Sequence, residues 1–188
     1  FKTSNPTISG TASDSGSGVQ QVQVQVDGGA FQTATGTTSW STNLSGLSDG
    51  LNTITAQATD TLGHKNTASI IIKVDTTKPT ITISSPADGA TITTSSFTVT
   101  GTASDANLQK VDVSIDGGAF QTATGTTSWT TNVSGLGNGQ HTITARATDS
   151  AGNVQTTSIT ITVQVATPTN TPGKVTGGGN IGTKMNFG

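Results

Sequence analysis

An all-β fold of two tandem antiparallel sandwiches followed by one extended C-terminal strand is predicted by three observations: composition, internal duplication and period-two alternation of apolar residues. Thr, Ser, Gly and Val dominate the 188 residues, only 10% are charged, and Cys and Tyr are absent. β-Branched side chains lose rotamer freedom against a helical turn but fit a pleated surface, so essentially no helix is expected. The length suits two small cores of roughly 90 to 100 residues each.

The duplication sets the architecture. DGGAFQTATGTTSW runs from Asp27 to Trp40 and again from Asp116 to Trp129, an offset of 89 residues, and SGTASD from Ser9 is answered by TGTASD from Thr100. NLSGLSDGLNTITAQATD from Asn43 is likewise answered by NVSGLGNGQHTITARATD from Asn132. The first copy carries two extra residues within SDSGSGVQQ, where the second reads SDANLQK, and an insertion there belongs in a loop. Strands alternate within each copy: Val22, Val24 and Val26 with Gln21, Gln23 and Gln25, and Val111, Val113 and Ile115 with Lys110, Asp112 and Ser114. Ile54, Ala56 and Ala58, matched by Ile143, Ala145 and Ala147, mark a further strand, and Ile159, Ile161, Val163 and Val165 the last. Asp27-Gly28-Gly29, Asp49-Gly50, Asn138-Gly139 and Ala151-Gly152-Asn153 are the turn signals between them.

Two motifs carry a family resemblance: W-x-x-x-(L/V)-x-G-L-x-x-G from Trp40 and Trp129, and T-I-T-A-x-A-T-D ending at Asp60 and Asp149. Asp149 continues as D-S-A-G-N, whereas TLGHK after Asp60 departs from that pattern. Over about 165 residues the chain resembles the bacterial immunoglobulin-like modules of secreted glycosidases, adhesins and surface-layer proteins. The resemblance implies two immunoglobulin-like β-sandwiches in an extracellular or cell-surface protein, and it is far more specific for fold than for role. The expected division is module 1 over 1–74, module 2 over 75–165, and a Pro/Thr linker with an extended strand over 166–188.

Alignment of the copies exposes unequal ends. Module 2 opens with PTITISSPADGATITTSSFTVTG, where Ile81 and Ile83 supply a first strand; Gly10 matches Gly101, so Phe1 falls level with Ile92 and module 1 lacks that strand. Beyond the linker ATPTNTPG, the residues Val175, Ile181, Met185 and Phe187 lie on one face of an extended segment. The expectation is a structural subunit of a pilus-like filament, in which this segment of one copy acts as donor strand for module 1 of the next. The rival reading is an accessory carbohydrate-binding or spacer pair of a larger secreted hydrolase or adhesin, both ends being where a longer chain was cut. The Phe1 start, with neither initiator Met nor signal pattern, suits a processed or excised segment.

Charge and chemistry narrow the function. A net charge of −2 and a pI near 5.4 leave no basic face for nucleic acid or anionic membranes, and no apolar run reaches the roughly 20 residues that span a bilayer. His64 and His141 are the only histidines and sit in no nucleophile or metal signature, so no enzyme is expected and both are read as surface residues. Trp40 and Trp129 suit core packing at equivalent positions, with sugar stacking as the alternative. Asp14, Asp60, Asp75, Asp105 and Asp149 are the calcium candidates, against turn capping. Asn43 and Asn132 head equivalent N-x-S sequons, which also arise by chance in so Ser- and Thr-rich a chain. The expected partners are other copies of the chain and, secondarily, glycans.

Overall fold

The computed structural model describes residues 1–166. The expected donor strand, with Val175, Ile181, Met185 and Phe187, lies outside them.

Among the described residues every regular element is a strand. Module 1 comprises β1 (Thr7–Thr11), β2 (Val19–Val26), β3 (Gln32–Thr33), β4 (Thr35–Gly36), β5 (Ser39–Asn43), β6 (Gly50–Asp60) and β7 (Lys65–Val74). They form two facing sheets, of order β1-β5-β4 and β3-β2-β6-β7. Module 2 comprises β8 (Thr80–Ser85), β9 (Thr91–Ile92), β10 (Ser96–Ser104), β11 (Leu108–Ile115), β12 (Gln121–Thr122), β13 (Ser128–Ser134), β14 (Gly139–Asp149) and β15 (Val154–Val163). Its sheets are β13-β10-β8 and β12-β11-β14-β15-β9, so β8 and β9 are additions to the pattern of module 1.

Alternation places the cores as expected. Val22, Val24, Ile54, Ile72 and Val74 are buried in module 1, and Val99, Val111, Val113, Ile143, Ile161 and Val163 in module 2. The turn after β2 and that after β11 are set by Asp27 and Asp116, the only non-Gly residues described with positive φ, at 49° and 51°. Aspartate tolerates the left-handed region, and each carboxylate fixes the turn by accepting an N–H from the neighbouring strand, Thr53 at 2.6 Å and Thr142 at 2.8 Å. The last strand is shorter than the alternation predicts. It stops at Val163, and Val165 is taken out of the ladder by the Asn138 side chain, which accepts its N–H at 2.8 Å and donates to its carbonyl at 3.1 Å.

Candidate functional site

Two features stand out: the junction between the modules, and a groove along module 1. The linker crosses from Val74 to Thr80, and Asp49 ties down its start by accepting from the Thr76 N–H and from the Thr76 and Thr77 hydroxyls, each at 2.9 Å. Asp75 then enters the end of module 2. Asn107 donates through Nδ2 to its carboxylate at 2.9 Å, and Asn153 donates through Nδ2 to its carbonyl at 2.7 Å. Lys73 of β7 reaches across to Asn107 Oδ1 at 2.8 Å. Side-chain amides of module 2 are thus committed to the backbone and side chain that leave module 1.

Three of the five calcium candidates meet here: one carboxylate oxygen each of Asp75, Asp105 and Asp149 lies within 4.8 Å of the others. Asp149 is fully buried. Burial raises its pKa, but hydrogen bonds from Asn153 and from the Gly152 and Asn153 amides outweigh burial and hold the carboxyl below its usual value. The oxygens are of the kind calcium takes. Asn107 and Asn153 nonetheless turn donors toward the cluster, so a cation there requires those amides to rotate.

Asp14 and Asp60 belong to the equivalent end of module 1, where they line one pocket with His64. Asp14 caps its own loop, accepting the N–H groups of Gly16, Ser17 and Gly18. Asp60 binds His64 as Asp149 binds Asn153: the carboxylate takes the backbone amide at 2.8 Å and meets the ring Nδ1 at 2.9 Å. The His64 hydrogen bond holds Asp60 far below the usual carboxylate range. Both aspartates cap the turns they belong to.

His141 corrects its surface reading. Its side chain is only 14% exposed, with Nδ1 on the Asp116 carboxylate at 2.7 Å and Nε2 on the Gly137 carbonyl at 2.9 Å. The two tryptophans differ: Trp129 is 2% exposed, in the core, while Trp40 is only half-buried. Asn43 and Asn132 are exposed, and each accepts a cross-strand hydroxyl, from Thr7 at 2.7 Å and Thr98 at 3.0 Å.

The half-burial of Trp40 marks the second feature, a groove of about 210 Å³ lined by Thr11, Ala12, Val22, Trp40, Ala56 and Ala58. In module 2 the corresponding space is filled by β8, which pairs with β10 from Thr100 to Ser104. Ile70, two residues along β7 from Ala68 of the groove lining and in alternation with the buried Ile72 and Val74, is 53% exposed. Composition hides both features, because each depends on what a neighbouring segment covers. The available signals were Asn153 in D-S-A-G-N, where module 1 departs, and the opening strand that module 2 alone carries.

A family model described as a bacterial Ig domain matches residues 1–77 and 79–145. The chain is 40% identical to Halomucin of Haloquadratum walsbyi over 108 residues, 53% of this chain and 1% of that protein. It is 33% identical to Chitinase A1 of Niallia circulans over 175 residues, 89% of this chain and 24% of that one. The chain thus spans no more than a quarter of either relative. Among solved structures, the fibronectin(III)-like modules of Clostridium thermocellum CbhA share the fold, with TM-score 0.58, 21% identity and 86% of each chain covered.

Proposed function

The chain belongs to the bacterial Ig domain family, and from that premise we propose that it is a non-catalytic pair of spacer modules of a larger secreted or cell-surface protein, holding neighbouring parts at a fixed separation and orientation outside the cell. The observation that carries the reading is the junction, where Asn107, Asn153 and Lys73 bridge the modules through three hydrogen bonds of 2.7 to 2.9 Å. A linker free to swivel needs no such bonds. The relatives support it as well, since a chitinase and a halomucin carry similar modules and so share something other than one activity.

Residual dipolar couplings on the chain test this. A single alignment tensor for both modules is the expected result, and two independent tensors would remove the rigid-spacer reading. A second reading, the head-to-tail filament, has one observation in its favour, the open groove of module 1. Its donor, residues 173–188, lies outside the described residues. A carbohydrate-binding role would rest on Trp40, whose ring is partly accessible; binding to a glycan array that is lost in Trp40→Ala is its test.

A further inference from the structure

Both modules hold the backbone that leaves them from the same position in the loop before β6 or β14, yet they brace that loop with different chemistry. In module 1, Asp49 accepts the Thr76 N–H at 2.9 Å. Its counterpart 89 residues on, Asn138, accepts the N–H of Val165, the counterpart of Thr76, at 2.8 Å and donates to its carbonyl at 3.1 Å. The brace sits three residues further along each chain. Buried Asn52 donates through Nδ2 to the Ser48 carbonyl at 2.9 Å, and His141 Nε2 stands 2.9 Å from the equivalent Gly137 carbonyl. An amide side chain keeps its donor across the neutral range; an imidazole does not.

The contacts of His141 count its protons. Nδ1 lies 2.7 Å from an Asp116 carboxylate oxygen and Nε2 2.9 Å from a carbonyl oxygen, both of them acceptors. A neutral ring has one N–H and can donate to only one of the two. The fold therefore selects the imidazolium, and the acceptors also decide which bond survives deprotonation. The carboxylate is the stronger acceptor, so the remaining proton stays on Nδ1 and the Nε2 lone pair is left against the Gly137 oxygen. Those two repel. Asp116 holds its place, because its other oxygen accepts the Thr142 N–H at 2.8 Å. The loop is the part able to yield, since Gly135 and Gly139 bracket it with positive φ of 76° and 139°. No other charged group among the described residues acts on the ring, and its partner across β15 is Ile161.

We propose that His141 is a proton-operated brace on the exit of module 2. With both nitrogens protonated it holds Gly137 and, through the adjacent Asn138, fixes the direction in which the chain leaves at Val165. On losing the Nε2 proton it releases the loop, and with it the grip on Val165. The exit of module 1, braced by Asn52, has no such response near neutrality; Asp49, its pKa lowered by Thr76 and then Thr77, titrates only in acid. The device is independent of how the two modules are oriented to one another. Asp116 first and the Gly137 carbonyl second raise the His141 pKa, so the braced form persists above the ordinary imidazole value of about 6.5 and mild alkali opens it.

Carbon-detected NMR of the isotope-labelled chain, from about pH 5.5 to about pH 9 so as to span the ordinary histidine value, tests this. The His141 ring, the Gly137 carbonyl and the Val165 backbone should move together with one midpoint above about 6.5, while Thr76 shows no step. His141→Asn, the residue type of module 1, should abolish the steps at Gly137 and Val165. Asn138→Ala should leave those of His141 and Gly137 in place and remove that of Val165. A Gly137 carbonyl or a Val165 backbone that stays flat while His141 titrates would overturn the proposal, as would a Val165 step that persists in His141→Asn. A Val165 step that persists in Asn138→Ala would overturn the route through Asn138.

Discussion

Module 1 and module 2 share a sequence pattern but not a degree of closure, and the difference shows how much of a sandwich core depends on one short strand. With β8 in place Trp129 is 2% exposed and Ala145 and Ala147 are fully buried. Without its counterpart Trp40, Ala56 and Ala58 are half-buried, and Ile70 is 53% exposed although it alternates in phase with the buried Ile72 and Val74. The copies also diverge at internal polar pairs. Gln23 and Gln57 face each other across β2 and β6 in module 1, where module 2 has Asp112 and Arg146, 2.8 Å apart with Asp112 2% exposed. Asn52, buried and bonded to the Ser48 and Gly50 carbonyls, stands where module 2 has His141.

The largest effect that separates the modules is expected from their tryptophans. Trp129→Ala removes a fully enclosed side chain and should cost module 2 about 3–5 kcal/mol. Trp40→Ala should cost module 1 less than half as much, because its ring is already partly in water. Each variant deletes the only tryptophan of the module it destabilises, so the loss is read from the amide signals of that module as denaturant is raised. Equal losses would break the comparison.

Next in size is the charged pair. Arg146→Gln leaves the buried Asp112 carboxylate with Lys110 at 3.0 Å and the Thr122 hydroxyl at 2.9 Å. The expected loss is about 2 kcal/mol, below the cost of a wholly orphaned buried charge. The double variant Asp112→Gln with Arg146→Gln copies the pair of module 1 and should recover most of that loss in thermal unfolding. At the junction, Asn153→Ala deletes bonds to Asp149 and to the Asp75 carbonyl and should cost about 1–2 kcal/mol. It should also loosen the coupling between modules in scattering profiles, whereas His64→Ala in module 1 should leave that coupling untouched.

The smallest effect is on pH dependence. Asp14, Asp49 and Asp60 in module 1, and Asp112, Asp116 and Asp149 in module 2, all have lowered pKa values. Their stabilisation is complete above the unfolded value of about 4 and is lost as pH falls below it, so both modules should share an acid limb. His141 is shifted the other way, raised by Asp116 and then by the Gly137 carbonyl. Its contribution is complete below about 6.5 and is lost as pH rises through the higher folded value. Module 2 should therefore weaken modestly above neutrality, and His141→Asn, the residue type of module 1, should abolish that limb.

Strands, turns and the two cores were legible because alternation and Asp-Gly signals are local, and the duplication let each copy check the other. Aligning Gly10 with Gly101 also pointed to the edge along which β8 pairs in module 2. The junction was not legible. Asp75, Asp105 and Asp149 are distant in sequence, and only the relative placement of the modules decides that they converge, under Asn107 and Asn153. Calcium reasoning grouped Asp14 and Asp60 with them by repeat equivalence, but module 1 presents no linker to that end among the described residues. His141 was misjudged because its partner Asp116 lies on another hairpin, 25 residues away in sequence.

Amide hydrogen exchange on the intact chain tests most directly whether the modules differ by an uncovered edge. The expected result is strong protection at Thr160 and Thr162, whose amides bond to Asp88 and Ala90, with near-unprotected exchange at Ile71 and Lys73. Equal protection at the two pairs would mean that the edge of module 1 is covered from elsewhere, and would contradict the account.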